Sequence, residues 1–99
     1  MPLNENKLEI LEQTSLPRIL VYLLKHSASQ TDLNNDIDAS QGAKYKALDM
    51  LKKADYITII AASGTARRKD ISLTEKGRHV AEALKRLNEL LWDLTKHFP

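Results

Sequence analysis

The fold is decided by residues 33–51, which read LNNDIDASQGAKYKALDML. Leu33 and Ile37 lie four positions apart, which places both on one face of a short helix, and Thr31 stands where its hydroxyl can cap that helix. The next three residues, Asp-Ala-Ser, are typical of a tight turn. After them the helical spacing of apolar residues returns. This order predicts two short helices joined by a three-residue turn, which is the arrangement of a helix-turn-helix.

The second of these helices is predicted to run from Gln41 to about Ala54, with the hydroxyl of Ser40 as its cap. Its inward face is apolar and consists of Ala47, Leu48 and Leu51. The face that points mostly outward is basic and carries Lys44, Lys46, Lys52 and Lys53.

Upstream of this stretch, the sequence predicts two further helices. Residues 6–13 form a short and weakly patterned one. Ser15 is the predicted cap of a second helix, which has Pro17 in its first turn and is expected to end near His26. This second helix has one broad apolar face, made of Leu16, Ile19, Leu20, Leu23 and Leu24. Residues 27–30 are polar and are predicted to be a connector.

Downstream, the pattern changes from helix to strand. Residues 56–60, YITII, are short and rich in β-branched and aromatic side chains, as is typical of a strand. Residues 69–73, KDISL, predict a second strand with Ile71 and Leu73 on one face. Ser-Gly-Thr at 63–65 is a turn signal between them. The segment therefore predicts a β-hairpin with three consecutive basic residues, Arg67, Arg68 and Lys69, near its tip.

The longest helix is predicted from its cap, Thr74, to about His97. Its apolar residues repeat at spacings of four, three, four and three, the seam of a coiled coil, at Val80, Leu84, Leu87, Leu91 and Leu94. A helix of about 24 residues is ~36 Å long, which is longer than the small domain that precedes it can cover. This stripe therefore predicts a homodimer interface, flanked by Leu90 and Trp92. The alternative is that the N-terminal segment folds back over the stripe through Leu8, Ile10 and Leu11.

Composition bounds the class of protein. The chain has 99 residues, of which 42 % are hydrophobic and 28 % are charged, so we expect one globular domain over residues 1–99. Within it, residues 16–73 are the predicted core and residues 74–97 the coiled-coil-like helix. The absence of Cys excludes a disulfide-stapled scaffold and a thiolate metal site. No stretch resembles a membrane span or a signal peptide, so we expect a cytoplasmic protein.

Catalytic patterns are missing from the sequence. Three glycines do not form a phosphate-binding loop, and the histidines do not have the paired spacing of metal ligands. His26, His79 and His97 lie near predicted helix ends or on helix surfaces. We therefore expect no enzyme, no metal and no cofactor.

Charge is distributed unevenly along the chain. Residues 1–40 carry three Lys/Arg and six Asp/Glu, a net charge of −3, and residues 70–99 carry five of each. Residues 41–69 carry seven Lys/Arg and two Asp/Glu, a net charge of +5. Such a local excess favours attraction to a polyanion, although an unevenly charged solvated surface gives the same count.

The stretch from Leu33 to Gly77 resembles the winged-helix transcriptional regulators of the MarR and ArsR type. The shared features occur in the family's order, and each is weak by itself. They are Leu33, Ile37, Ser40, Leu48, Leu51, Tyr56-Ile57, Arg67-Arg68 and Leu73-Thr74-Glu75-Lys76-Gly77-Arg78. The resemblance covers about two-thirds of the chain.

The resemblance implies an α+β, mainly α, winged helix-turn-helix with a long C-terminal dimerisation helix. It implies a homodimeric regulator that binds double-stranded DNA, with the second helix of the motif in the major groove. Gln41 is then the first candidate to read adenine, and Lys46 is a candidate to contact phosphate or guanine. The predicted hairpin is the wing of this family, and it would place Arg67 and Arg68 on the minor groove or the backbone. The candidate DNA contacts are Ser40, Gln41, Gly42, Lys44, Tyr45, Lys46, Arg67, Arg68 and Lys69. A small-molecule effector is left open.

The chain departs from the family pattern at three positions. Asn34 stands where the family has a small residue, and Asp55 stands where it has Gly, although Asp tolerates a left-handed conformation better than most residues. Lys44 stands where the family has an aliphatic core residue. Either its stem packs while its ammonium reaches toward DNA, or the helix is rotated.

A second class of function stays open at this point. Winged helices also serve as protein–protein adaptors in transcription or replication assemblies, and fold alone does not fix function. An adaptor should expose an apolar patch where this sequence predicts a basic wing and a basic helix.

Overall fold

The elements follow one another in the order of a winged helix-turn-helix. The structure is a computed structural model and describes residues 7–61 and 69–97. It contains a 3-10 helix at Lys7–Glu12, followed by α1 (Leu16–Leu23), β1 (Ala28–Ser29), α2 (Gln30–Asp36), α3 (Gln41–Lys53), β2 (Ile57–Ala61), β3 (Lys69–Leu73) and α4 (Glu75–His97). The predicted class, mainly α with a small sheet and a long last helix, is confirmed.

The core forms where α1, the helix-turn-helix and the sheet meet. The apolar faces predicted for α1 and α3 are buried, except for Leu24, which is half-buried and follows the last residue of α1. The largest fully buried side chains are Leu16, Ile19, Leu20, Leu33, Leu51 and Ile71. The first three turns of α4 close the core, with Ala81 buried and Val80 and Leu84 packed against it. The distal half of α4 contributes nothing to this core.

The strands form one antiparallel sheet in the order β1-β3-β2. Ile71 in β3 lies opposite Ala28 on one side and Ile59 on the other, so β3 is the central strand. The predicted hairpin is confirmed, with its first strand one residue later than expected, while the turn signal at 63–65 lies outside the described residues. β1 was not predicted, because two residues within 27–30 are too few to show an alternating pattern.

Two of the predicted helix caps are confirmed. Ser40 Oγ accepts a hydrogen bond from the Ala43 amide at 3.1 Å, and α3 starts directly after it. Thr74 Oγ1 accepts from the Gly77 amide at 3.0 Å and donates to the carbonyl of Asp55 at 2.7 Å. Thr74 thus caps α4 and also ties its first turn to the end of the α3 region.

Of the other two predicted caps, Thr31 is wrong, and Ser15 takes the N-cap position of α1 without a side-chain hydrogen bond. Ser29, not Thr31, caps α2: its Oγ accepts from the Asp32 amide at 3.1 Å, and the Asp32 carboxylate accepts from the Ser29 amide at 3.0 Å. This reciprocal capping box provides acceptors for two backbone amides, whereas a lone hydroxyl at Thr31 would provide an acceptor for one. Ser15 precedes α1 but has φ 69°, and its hydroxyl caps no amide there. The chain reaches α1 directly from the 3-10 helix, since the Leu16 amide donates to Gln13 O at 3.1 Å.

α3 ends in a Schellman motif. The Asp55 amide donates to Lys52 O at 3.0 Å and the Tyr56 amide to Leu51 O at 2.9 Å, and Asp55 has φ 64°. Asp55 therefore occupies the left-handed position that Gly fills in the family. α1 also ends earlier than predicted, at Leu23 rather than near His26.

Gly77, the glycine of the stretch Leu73-Thr74-Glu75-Lys76-Gly77, lies where a side chain has no room. A Cβ at this position would lie 1.9 Å from the carbonyl oxygen of Tyr56, a distance that no side chain tolerates. The missing side chain lets the first turn of α4 lie directly on the backbone that leads into β2.

Candidate nucleic-acid interface

The outward face of α3 is polar and exposed near the start of the helix. Gln41 and Lys46 are exposed, and Tyr45 has 54 % of its surface exposed. Gly42 is exposed too, and a Cβ there would meet no atom within 4 Å. Ser40 fixes the point at which the helix begins. The N-terminal half of α3 thus presents an amide, a phenol and an ammonium group, which are groups that hydrogen-bond to base edges and phosphates.

The expectation that Lys44 faces outward is wrong. Only 3 % of its surface is exposed, and its ammonium donates to the carbonyl oxygens of Asn34 at 3.2 Å and Ile37 at 3.1 Å. Both acceptors belong to the end of α2 and the turn that follows. The open carbonyls at a helix end attract a cation, so Lys44 turns inward and offers no group to a ligand on the outer face.

An acidic residue that the sequence reasoning missed shares the outer face of α3. Asp49 Oδ2 accepts from Lys53 Nζ at 3.1 Å, and both side chains are exposed. Their spacing of four is the signal that could have revealed the pair. Asp49 therefore balances the charge of Lys53 at the end of α3. Near the start of the helix, the positive charge on the outer face comes from Lys46.

The base of the wing lies beside the end of α3. Lys69 is exposed at the start of β3 and is paired with Ala61 of β2. Lys69 and Lys52 of α3 line one shallow depression of about 360 Å³ together with Gln30, Ile59 and Ile71. The structure therefore brings the basic groups of helix and wing onto a common surface. Arg67 and Arg68 lie outside the described residues, and their contact with DNA stays a prediction.

Two side chains of α1 hold the turn before α3. Arg18 donates to the carbonyl oxygen of Asp38 at 3.0 Å, and the Tyr22 hydroxyl donates to Asp36 Oδ2 at 2.5 Å. The hydrogen bond to the Asp36 carboxylate raises the pKa of Tyr22 to about 12. α3 therefore starts from a turn that is fixed to the body of the domain.

The distal half of α4 exposes a broad apolar face. Its large apolar side chains have between 42 % and 62 % of their surface exposed, and they are Leu87, Leu90, Leu91, Trp92 and Leu94. The predicted stripe is thus divided: Val80 and Leu84 pack on the core, and the rest is open. The predicted fold-back does not cover Leu87, Leu91 and Leu94, which are exposed; of the three N-terminal residues, Leu8 is exposed and Ile10 and Leu11 pack against the core.

A cleft of about 580 Å³ separates α1 from this face of α4. Its walls are mainly apolar and include Pro17, Val21, Tyr22, Leu84, Leu87 and Leu91. The cleft makes the exposed face of α4 continuous with the outer surface of α1, so the open apolar surface is wider than a single helical stripe.

Two kinds of feature were not found in residues 7–61 and 69–97. No group of three or more His, Cys, Asp or Glu side chains is arranged as metal ligands. No helix in this part of the chain is long and apolar enough to cross a membrane.

Comparison with known proteins agrees with this geometry. The family model described as a winged helix DNA-binding domain matches residues 17–91. Among solved structures, the adhesin competence repressor AdcR from Streptococcus pyogenes is 24 % identical with a TM-score of 0.78, over 85 % of this chain and 63 % of that one. A mutant of ZitR from Lactococcus lactis is 24 % identical with a TM-score of 0.76, over 85 % of this chain and 57 % of that one.

A third similar structure was determined with a ligand. It is a mutant MarR from E. coli complexed with operator DNA, 19 % identical with a TM-score of 0.70, over 87 % of this chain and 64 % of that one. This chain therefore spans less than two-thirds of the length of these three regulators. No curated protein sequence matches it. The family model nevertheless covers the helix-turn-helix, the wing strands and most of α4. The chain belongs to the winged-helix DNA-binding domain family.

Proposed function

We propose that this protein is a transcriptional regulator that binds double-stranded DNA sequence-specifically as a homodimer. α3 enters the major groove N-terminus first, where Gln41 reads adenine and Tyr45 and Lys46 contact base edges or phosphates. Arg67, Arg68 and Lys69 lie on the adjacent minor groove or backbone. The observation that carries this proposal is the exposed polar start of α3, on a helix whose other end brings Lys52 close to Lys69 at the base of the wing. The operator-bound MarR mutant supports it as a structural relative.

The second copy in this proposal covers the distal face of α4. The five large side chains there expose several hundred Å² of apolar surface, which is the size at which a patch on a small protein indicates an interface. Residues 16–73 then form the DNA-binding core and residues 74–97 the dimerisation helix. Twofold symmetry presents two recognition helices about 34 Å apart, the spacing of successive major grooves. We propose no catalytic activity for this arrangement.

The experiment that tests DNA binding is fluorescence anisotropy of a labelled random-sequence duplex, titrated at several salt concentrations. With roughly four phosphate contacts per subunit, we expect log affinity to fall against log salt with a slope near −7 for the dimer. The Arg67→Ala/Arg68→Ala variant should bind more weakly and with a shallower slope. The matched control is Lys85→Ala/Arg86→Ala, which removes two exposed cations from α4 and should behave as the unaltered protein.

Absence of binding at the lowest salt concentration would overturn the proposal. The adaptor function would then become the better explanation, and the search would turn to protein partners. The described surface of α3 speaks against an adaptor, because its exposed residues at 41, 42, 45, 46 and 49 are polar, aromatic with a hydroxyl, or Gly.

A further inference from the structure

Lys44 is buried inside the helix-turn-helix although it carries a charge. Its side chain lies on the inner face of α3, beside the apolar residues Ala47 and Leu48. Its ammonium is hydrogen-bonded to the carbonyl oxygens of Asn34 and Ile37, at 3.2 and 3.1 Å. Burying a cation costs free energy unless hydrogen bonds replace its water, so these two contacts define where the ammonium has to be.

The end of α2 explains why a donor is needed there. α2 ends at Asp36, and the last carbonyls of a helix have no amide partner within the helix. The Ile37 amide reaches Leu33 O at 2.9 Å, which leaves Asn34 O open until Lys44 donates to it. Ile37 itself is extended, with φ −104° and ψ 117°, so α2 lacks the left-handed residue that closes α3. A side chain from α3 takes over this role and also places a cation at the negative end of α2.

The contact joins two helices across a turn of four residues. Lys44 lies in the first turn of α3, and its own amide donates to Ser40 O at 3.1 Å. Its side chain reaches back over residues 37–40 to the last turn of α2. Arg18 and Tyr22 hold the same turn from α1. The turn is thus fixed on one side by α1 and on the other by α3 itself.

We propose that Lys44 is a positioning residue that sets the orientation of α3 relative to α2, and so the presentation of Gln41, Tyr45 and Lys46. This inference rests on the proposed function in so far as α3 is the helix that reads DNA. In this role Lys44 touches no nucleotide. An aliphatic residue would fill the same apolar space but would leave the carbonyl of Asn34 without its donor.

The first test needs no DNA. It compares Lys44→Met with Lys46→Met, which makes the same change two residues away on the exposed face. Native-state hydrogen exchange is measured at the amides of Ile37 and Ala39, both of which form hydrogen bonds in the turn. In Lys44→Met these amides should exchange about tenfold faster, the loss expected for a hydrogen bond from a charged donor. Amides of the β2–β3 ladder should keep their protection, and Lys46→Met should alter neither group.

The second test measures duplex binding of the same variants against salt concentration. Lys44→Met should bind more weakly than the unaltered protein but with the same salt slope, because no phosphate contact is lost. Lys46→Met should make the slope shallower by about two, one phosphate contact per subunit. Lys44→Leu repeats both measurements with a second apolar side chain, in case the methionine variant does not fold.

The outcomes separate this inference from the proposed function. Unchanged exchange at Ile37 and Ala39, or equal acceleration throughout the domain, would overturn the positioning role. A shallower salt slope in Lys44→Met would also overturn it, since Lys44 would then contact phosphate. If the unaltered protein fails to bind DNA while the turn amides still exchange faster in Lys44→Met, the proposed function fails and the role of Lys44 in fixing the turn is supported.

Discussion

Of the two described glycines, Gly42 and Gly77, Gly77 has the tighter steric requirement. Its Cα faces the carbonyl oxygen of Tyr56, and a Cβ would lie 1.9 Å from that atom. We expect Gly77→Ala to destabilise the domain by about 3 kcal/mol or more, because backbone on both sides has to move. Urea unfolding measures this loss.

Gly42 is the matched control for this change. It lies in α3 with open space around its Cα, so Gly42→Ala should stabilise the domain by about 0.5–1 kcal/mol through helix propensity. A Gly77→Ala protein as stable as the unaltered one would contradict the close contact with Tyr56.

Asp55 offers a prediction of the opposite sign. Its φ of 64° is costly for any residue with a Cβ, and Gly adopts it freely. We expect Asp55→Gly to stabilise the domain by about 1 kcal/mol, and Asp55→Ala to destabilise it relative to Asp55→Gly. Thermal unfolding of the three proteins checks the order, and a less stable Asp55→Gly would show that the carboxylate contributes more than the backbone strain costs.

Single residues were the hardest features to predict from the sequence. Ser40 and Thr74 were identified as caps because each directly precedes a long helical pattern. The cap predicted at Thr31 was wrong, and the hydroxyl of Ser15 caps no amide. Several hydroxyl side chains lie near the start of each of these short helices, and tertiary contacts decide which of them forms a cap. The inward orientation of Lys44 could not be read from spacing, since its acceptors are carbonyls that any sequence has.

At the scale of elements, the turn between α2 and α3 depends on a contact that responds to pH. Tyr22 has its pKa raised to about 12 from an ordinary value of 10.0, because its neutral hydroxyl donates to Asp36. The folded state holds this proton more tightly than the unfolded state. The contact therefore contributes its full stability below pH 10 and loses it as the pH rises through about 12.

Tyr22→Phe tests this dependence. The stability difference between the unaltered protein and Tyr22→Phe should be constant up to about pH 10.0 and shrink toward about pH 12, as measured by urea unfolding across that range. Tyr45→Phe, at an exposed tyrosine of α3, is the matched control for the loss of a phenol hydroxyl. A difference that persists above pH 12 would mean that ring packing, rather than the hydrogen bond, accounts for the effect.

Elements with a long or doubly signalled pattern were predicted to within a residue or two. α3 and α4 have both a cap and several apolar repeats, and β3 has alternation between turn signals. β1 has two residues and exists because β3 offers it a free edge, which is a property of the assembled sheet. No local pattern in residues 27–30 carries that information.

At the scale of the whole molecule, the exposed face of α4 is the interface of the proposed dimer. We expect Leu87→Glu to convert a dimer to a monomer in sedimentation experiments, because a buried unpaired carboxylate opposes association. Arg86→Glu, on the neighbouring polar surface, should leave the dimer intact. Leu87→Glu should also weaken duplex binding, since one recognition helix then acts alone. A Leu87→Glu protein that still sediments as a dimer would rule out this face as the interface.

The candidate site was predicted unevenly for a physical reason. The outer face of α3 follows from helix periodicity, and the family resemblance supplied the order of its residues. The meeting of Lys52 with Lys69 depends on how the sheet packs beside α3, which the periodicity of either segment does not contain. The width of the apolar surface was missed likewise, because the cleft belongs jointly to α1 and α4.

α4 is held on the domain by its N-terminal part and projects from it beyond Leu84. It is fixed by the contact of Gly77 with Tyr56, by Thr74, and by Lys76, whose ammonium donates to Ala54 O at 3.1 Å. From Leu84, the last residue of α4 packed against the core, to His97 the helix is about 20 Å long, so a tilt of about 10° there moves its far end by about 3 Å. In the proposed dimer the same tilt swings the two recognition helices apart or together. Small bends of the part of α4 beyond Leu84, which leave the packing of Val80, Ala81 and Leu84 in place, would therefore change the groove spacing that the proposed dimer can span.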